Sequence, residues 1–126
     1  MKSIFASYKY EDKRFKDQLA TWAREGRLGY NVSITGESQD VRQDGGNAIR
    51  NHINPIINGA ACVVLIVGQD THNSSGVDYE LRNAKSAGKP IITVRAPQTS
   101  GALPALVASS PEVAFEPNAI ARALLG

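Results

Sequence analysis

The feature that most constrains the fold is the run ACVVLIVG at residues 61–68, which is apolar throughout and rich in β-branched side chains. A strand of this kind is buried on both faces, which is typical of the centre of a parallel sheet. Parallel neighbours need long crossover connections, usually helices. The run therefore predicts that strands and helices alternate along the chain.

The rest of the sequence supplies elements of that kind. Phe15, Leu19 and Trp22 recur at helical spacing, and Pro117 opens a C-terminal helical pattern. Strand-like segments lie at 3–7, 30–34, 61–68, 89–96 and 112–115. We expect one domain over residues 1–126 with a doubly wound, flavodoxin-like parallel sheet of about five strands in the order 2-1-3-4-5. Pro55 is expected to kink or shorten the second helix.

Composition excludes several classes of protein. A formal net charge of +2 gives no strong field for nucleic acid or a membrane surface, so we expect neither as a partner. The single cysteine, Cys62, excludes a disulfide framework, and the two histidines have no metal-site spacing. The N-terminus lacks the apolar core of a signal peptide, so the expected compartment is the cytoplasm.

Motifs of common doubly wound proteins are also missing. The sequence has neither the G-x-x-x-x-G-K-[ST] phosphate loop nor a G-x-G-x-x-G turn after the first strand. A phospho-accepting receiver domain would carry an acidic pair after the first strand and an aspartate at the end of the third strand, but these places hold Ser7-Tyr8 and Val67-Gly68. Functions that depend on an NTPase-type phosphate loop, on a glycine-rich dinucleotide turn after the first strand or on a receiver aspartate are therefore disfavoured.

A carboxylate stands in an unusual place on the predicted third helix. With Ser75 as N-cap and Asp78 as its capping-box partner, the helix sets Val77 and Leu81 on its apolar face, and Glu80 falls within that face. Glu80 should therefore point toward the sheet near the strand ends, where such folds bind ligands. An ion pair of Glu80 with Lys9 or Arg95 is the alternative to an active-site role.

Three segments together resemble the TIR-like domains of bacterial Thoeris anti-phage systems. They are IFASYKYED near the N-terminus, ACVVLIVGQDTHNSSGVDYEL from residue 61, and AKSAGKPIITV from residue 84. The resemblance covers nearly the whole chain in order and spacing and is best between residues 61 and 94. It implies a TIR-like fold that cleaves NAD at the nicotinamide–ribose bond, with the family's catalytic glutamate at Glu80.

The resemblance also implies partners and further pocket residues. NAD would be the substrate, with no bound cofactor and no metal, and the product would be a cyclic ADP-ribose-type messenger that activates a separate effector protein. Self-association is a further expectation. The candidate pocket residues beside Glu80 are Ser7, Tyr8, Ser38, Asp40 and Ser75. Packing or capping alone would be the structural alternative for Ser7, Tyr8 and Ser75.

Gly76 departs from the pattern of the family, which usually has tryptophan four residues before the glutamate. This departure keeps two other functions open. One is a non-catalytic TIR-like interaction module, and the other is an enzyme similar to nucleoside deoxyribosyltransferases, which share the fold and a glutamate-based glycosyl chemistry.

Overall fold

The computed structural model describes the backbone of residues 2–36 and 46–125, and the side chains of this part except those of 46–52. Its strands are β1 (Lys2–Ser7), β2 (Val32–Thr35), β3 (Cys62–Val67), β4 (Ile91–Arg95) and β5 (Glu112–Ala114). Its α-helices are α1 (Lys13–Arg24), α2 (Gly46–Gly59), α3 (Ser75–Ser86) and α4 (Pro117–Leu125). Short 3-10 turns lie at Tyr10–Asp12, Thr71–Asn73 and Ala105–Val107.

The strands of the described part form one parallel sheet in the order β2-β1-β3-β4-β5. This confirms the predicted fold class and strand order. All six residues of β3 are buried, as its apolar sequence predicted. Strand β3 lies between β1 and β4. Ser7, the last residue of β1, is in register with Leu65 of β3.

The helices divide the core into two layers. Ile4, Ala6 and Tyr8 pack on the side of the sheet covered by α1 and α4. Phe5 and Val63 pack on the other side, against α2 and α3. Since successive side chains of a strand point to opposite faces, Ser7 lies on the α3 side and Tyr8 on the α1 side.

Local details differ from the predictions at two helices. The second helix continues through Pro55 to Gly59, so of the two effects predicted for Pro55, a kink or a shorter helix, the shortening is wrong. The N-cap of α3 is Ser74 instead of Ser75, because the Ser74 Oγ accepts the backbone N–H of Val77 at 3.1 Å. The predicted capping box is therefore absent from α3, where Asp78 instead forms an ion pair of 2.8 Å with Arg82.

Two of the candidate pocket residues, Ser38 and Asp40, lie outside the described residues. Among the helices of the described part, none is both long and apolar enough to cross a lipid bilayer.

Candidate active site

Glu80 is the centre of the candidate site. It lies in the second turn of α3 and has no exposed surface, like Val77 and Leu81 on the same helix face. The Glu80 Oε1 accepts a hydrogen bond of 2.7 Å from the Ser7 hydroxyl. A buried carboxyl group is costly unless it is hydrogen-bonded, so this bond holds the group in place at the end of β1.

The two elements that carry this pair are themselves fixed. Ser7 ends β1, which is hydrogen-bonded to β2 on one side and to β3 on the other. Helix α3 is held against α2 by Asn54, whose Oδ1 accepts from Tyr79 Oη at 2.6 Å and from Asn83 Nδ2 at 2.7 Å. The carboxylate is therefore positioned by regular structure, which is more precise than a loop.

A pocket of about 240 Å³ opens beside Glu80. It is bounded by the segment after β1, the helix α2 and the first two turns of α3. Its lining residues are Lys9, Tyr10, Ile53, Ser74, Ser75, Gly76 and Glu80. The pocket combines one buried carboxyl group, one lysine, two serine hydroxyls, one tyrosine and an apolar wall, which is the usual composition of a small-molecule site.

An ionic cluster ties the rim of this pocket together. The Lys9 Nζ lies 2.6 Å from the Asp70 Oδ2 and 2.8 Å from the Glu11 Oε1. These carboxylates, Asp70 first, raise the pKa of Lys9 above its ordinary value, and Lys9 in turn lowers the pKa of Asp70. Lys9 thus stays charged at neutral pH and links the segment after β1 to the segment after β3.

The structure brings some predicted site residues together and separates others. Glu80 and Ser75 line the pocket, and Gly76 lies between Ser75 and Val77 on the same wall. Ser7 lies behind Glu80 and has no exposed surface. Tyr8 is buried in the core on the α1 side of the sheet, where it packs near Gly36. The alternative ion-pair partner Arg95 binds Glu112 at 2.8 Å.

The sequence interpretation missed two residues of this region. Tyr10 lines the pocket, although Tyr8 was the one tyrosine predicted to do so. Asp12 was not among the predicted site residues, yet only 7% of it is exposed, and its Oδ2 has no hydrogen-bond partner in the described part. Burial, followed by the nearby Glu11 charge, raises the pKa of Asp12. Its carboxyl group packs against Gly68, where an added Cβ would come within 2.7 Å of the Asp12 Cγ.

Metal ligands do not cluster in the part of the chain that the structure describes, where no group of three His, Cys, Asp or Glu side chains could hold an ion. His72 is exposed and lines a separate cavity with Ser74, Asp78 and Pro104. Cys62 is buried, and burial raises the pKa of its thiol. The polar side chains that line the candidate pocket are those of Glu80, Lys9, Tyr10, Ser74 and Ser75.

Comparison with known proteins gives a consistent family and fold. The family model of the Thoeris protein ThsB, TIR-like domain, matches residues 5–101. The TIR domain of the Toll-related receptor TRR-2 from Hydra magnipapillata is similar in structure, with a TM-score of 0.62 and 15% identity over 88% of this chain and 82% of that one. No curated protein matches the sequence significantly.

Two other solved structures share the fold. A 2-desoxiribosyltransferase from Leishmania mexicana has a TM-score of 0.58 and 17% identity, over 75% of this chain and 65% of that one. The TIR domains of the activated Roq1 resistosome, which directly recognises the pathogen effector XopQ, give a TM-score of 0.56 and 15% identity over 75% of this chain and 57% of that one.

Proposed function

Because the chain belongs to the family of the Thoeris protein ThsB, TIR-like domain, we propose that it cleaves NAD at the nicotinamide–ribose bond, with Glu80 as the catalytic residue. The observation that carries this proposal is the buried Glu80 carboxyl group on the pocket wall, held by Ser7 at 2.7 Å. Such a fixed group suits a reaction in which positive charge develops on a sugar.

In the proposed reaction, the bond between ribose C1′ and the pyridinium nitrogen breaks, and its electron pair goes to that nitrogen. Nicotinamide leaves as a neutral molecule and therefore needs no proton from an acid. The positive charge moves to the ribose, where Glu80 stabilises it and accepts hydrogen bonds from the sugar hydroxyls. A nucleophilic atom of the same molecule then bonds to C1′ and loses its proton, which gives a cyclic ADP-ribose-type product.

The size of the pocket is informative about how NAD would bind. Sites that enclose a drug-sized ligand usually have about 300–1,000 Å³, whereas this pocket has about 240 Å³. It would therefore enclose the nicotinamide and its ribose and leave the rest of the dinucleotide outside. The cyclic product would diffuse in the cytoplasm and activate a separate effector protein, and the enzyme would act as a self-associated TIR assembly.

Incubation of the purified protein with NAD, with and without a phage trigger, tests the proposal by chromatography and mass spectrometry of the products. We expect nicotinamide release by the wild type and its loss in Glu80→Gln. Asp78→Asn is the matched control, because Asp78 lies on the same helix but pairs with Arg82. Equal product formation by wild type and Glu80→Gln under every condition would refute the role of Glu80.

The pocket volume also favours a second candidate, since a space of this size suits a nucleoside as well. A deoxyribosyltransferase-like enzyme would release free base from deoxynucleosides and leave NAD intact, so deoxynucleosides belong in the same assay. Binding of neither substrate class near Glu80, combined with ligand-independent self-association, would instead indicate an interaction module.

A further inference from the structure

Tyr79 is half-buried and donates its hydroxyl to Asn54, whereas Tyr10 is the aromatic residue among the described residues that line the candidate pocket. Tyr10 also differs from Tyr8 and Tyr30. It is 42% exposed and lines the pocket together with Glu80. Tyr8 has 1% of its surface exposed and belongs to the core, whereas Tyr30 is 92% exposed and lines a different cavity, at the start of β2. An exposed ring beside a buried carboxyl group is a combination that only Tyr10 provides among these three.

The position of Tyr10 follows from the way the chain leaves β1. The short turn Tyr10–Asp12 begins just beyond Lys9 and buries Asp12. Lys9 is bound to Glu11 and Asp70, so the turn that carries Tyr10 is anchored on both sides of the ring. A ring held on an anchored turn loses little conformational freedom when a ligand binds to it, which favours recognition.

Aromatic side chains in exposed parts of a pocket recognise planar ligands. Stacking of a base on an aromatic ring contributes about 1–3 kcal/mol and tolerates different bases, because each has a π-face. A cationic ring gains an additional cation–π attraction over tyrosine. The apolar Ile53 and the backbone-only wall at Gly76 leave the same pocket open to a flat group.

We infer that Tyr10 is the specificity-determining residue on which the leaving base stacks, so that the substrates of this pocket are N-glycosides of a planar heteroaromatic base. This inference rests on the proposed function for the position of the sugar, which lies at Glu80. The oxidised nicotinamide ring, a cation, is bound more tightly than the reduced ring. After cleavage the ring is neutral, the cation–π attraction is lost, and the leaving group dissociates.

Calorimetric binding to a Glu80→Gln parent protein, which prevents turnover, tests the inference. The probes are NAD, NADH, nicotinamide riboside and deoxyadenosine. For probes that bind, Tyr10→Leu is expected to weaken affinity about tenfold and Tyr10→Phe no more than about twofold, because phenylalanine retains the stacking face. Tyr10→Leu is also expected to reduce the preference for NAD over NADH.

Tyr30→Leu is the matched control, since it removes an exposed tyrosine outside the pocket. The unfolding midpoints of all variants are measured as well, so that effects on binding can be separated from effects on folding. Equal affinities of Tyr10→Leu and its parent, or binding of none of the four probes to the parent, would overturn the inference.

The outcomes separate this inference from the proposed reaction. Glu80-dependent cleavage of NAD with an unchanged KM in Tyr10→Leu would uphold the reaction and refute stacking on Tyr10. Absence of NAD cleavage together with Tyr10-dependent binding of nucleosides would uphold stacking and refute the reaction.

Discussion

The replacement Ser7→Ala tests the contact on which the candidate site depends. It removes the hydroxyl that donates to the Glu80 Oε1 at 2.7 Å, at a place where neither residue has exposed surface. Loss of one partner of a buried hydrogen bond costs about 1–3 kcal/mol. The void left by one oxygen atom is small, so this range is also the expected loss in the free energy of unfolding.

Urea denaturation at neutral pH measures that loss. With a slope of about 1–3 kcal/mol per molar urea, the midpoint of Ser7→Ala should fall by roughly 1 M. A domain of this size has a free energy of unfolding of about 5–15 kcal/mol, so the variant remains folded. Ser3→Ala is the matched control, because Ser3 lies on the same face of β1 but pairs with Ser33 at the other end of the strand.

A double-mutant cycle with Glu80→Met assigns the loss to the pair. If Ser7 acts through Glu80, the two replacements together should cost less than the sum of their separate costs by about 1 kcal/mol. Additivity of the two costs within about 0.3 kcal/mol would refute the reasoning, since independent sites behave in that way. The same variants in the NAD assay would show a lower kcat for Ser7→Ala, because Ser7 positions Glu80.

Three further predictions concern charge and packing around the site. The pKa of Asp12 is raised above its ordinary value of 3.8, so its carboxyl group destabilises the folded state as pH rises from 3.8 through the raised pKa. Asp12→Asn should therefore raise the urea midpoint at pH 7 and leave it unchanged near pH 3. Gly68→Ala should cost about 1–3 kcal/mol by overpacking, and Asp12→Ala in the same chain should recover most of it. Lys9 lowers the pKa of Asp70, so the stability that this pair contributes is present above about pH 3.8 and is lost as pH falls below it. Lys9→Met should raise the pKa of Asp70, which a carboxyl NMR titration measures.

The predictions for Asp12 and Gly68 have specific contradicting outcomes. An Asp12→Asn protein that is less stable than the wild type at pH 7 would show that the carboxylate has a stabilising partner. Failure of Asp12→Ala to rescue Gly68→Ala would mean that backbone contacts cause the damage. Damage from backbone contacts is expected in another variant, Gly101→Ala, whose Cβ would collide with the backbone of Gln69.

The sequence was sufficient for the sheet and for Glu80 because both follow from strong periodic signals. An uninterrupted apolar run specifies a central strand, and helical spacing from Val77 to Leu81 specifies which way Glu80 points. The cap of α3 was misplaced by one residue because Ser74 and Ser75 are equally good capping residues, and only the geometry of the chain selects between them.

Tyr8 and Asp12 show a different limit of sequence interpretation. Strand alternation would place the Tyr8 side chain on the other face of the sheet from Ser7. Applying it to Tyr8 requires knowing that the extended backbone of β1 continues to residue 8, which the sequence does not indicate. The burial of Asp12 involves its packing against Gly68, which directly follows β3, far along the sequence. No local pattern contains a contact of that kind.

The hydrogen bond between Ser7 and Glu80 joins the first strand to a helix that is 73 residues further along the chain. Closing such a long stretch of chain has an entropic cost that must be met before the contact forms, and contacts of this kind slow folding. During refolding or synthesis, helix α3 can form while its carboxyl group still lacks the hydroxyl on β1. The proposed cleavage of NAD should therefore return only with the fully assembled sheet, later than the recovery of helical circular dichroism.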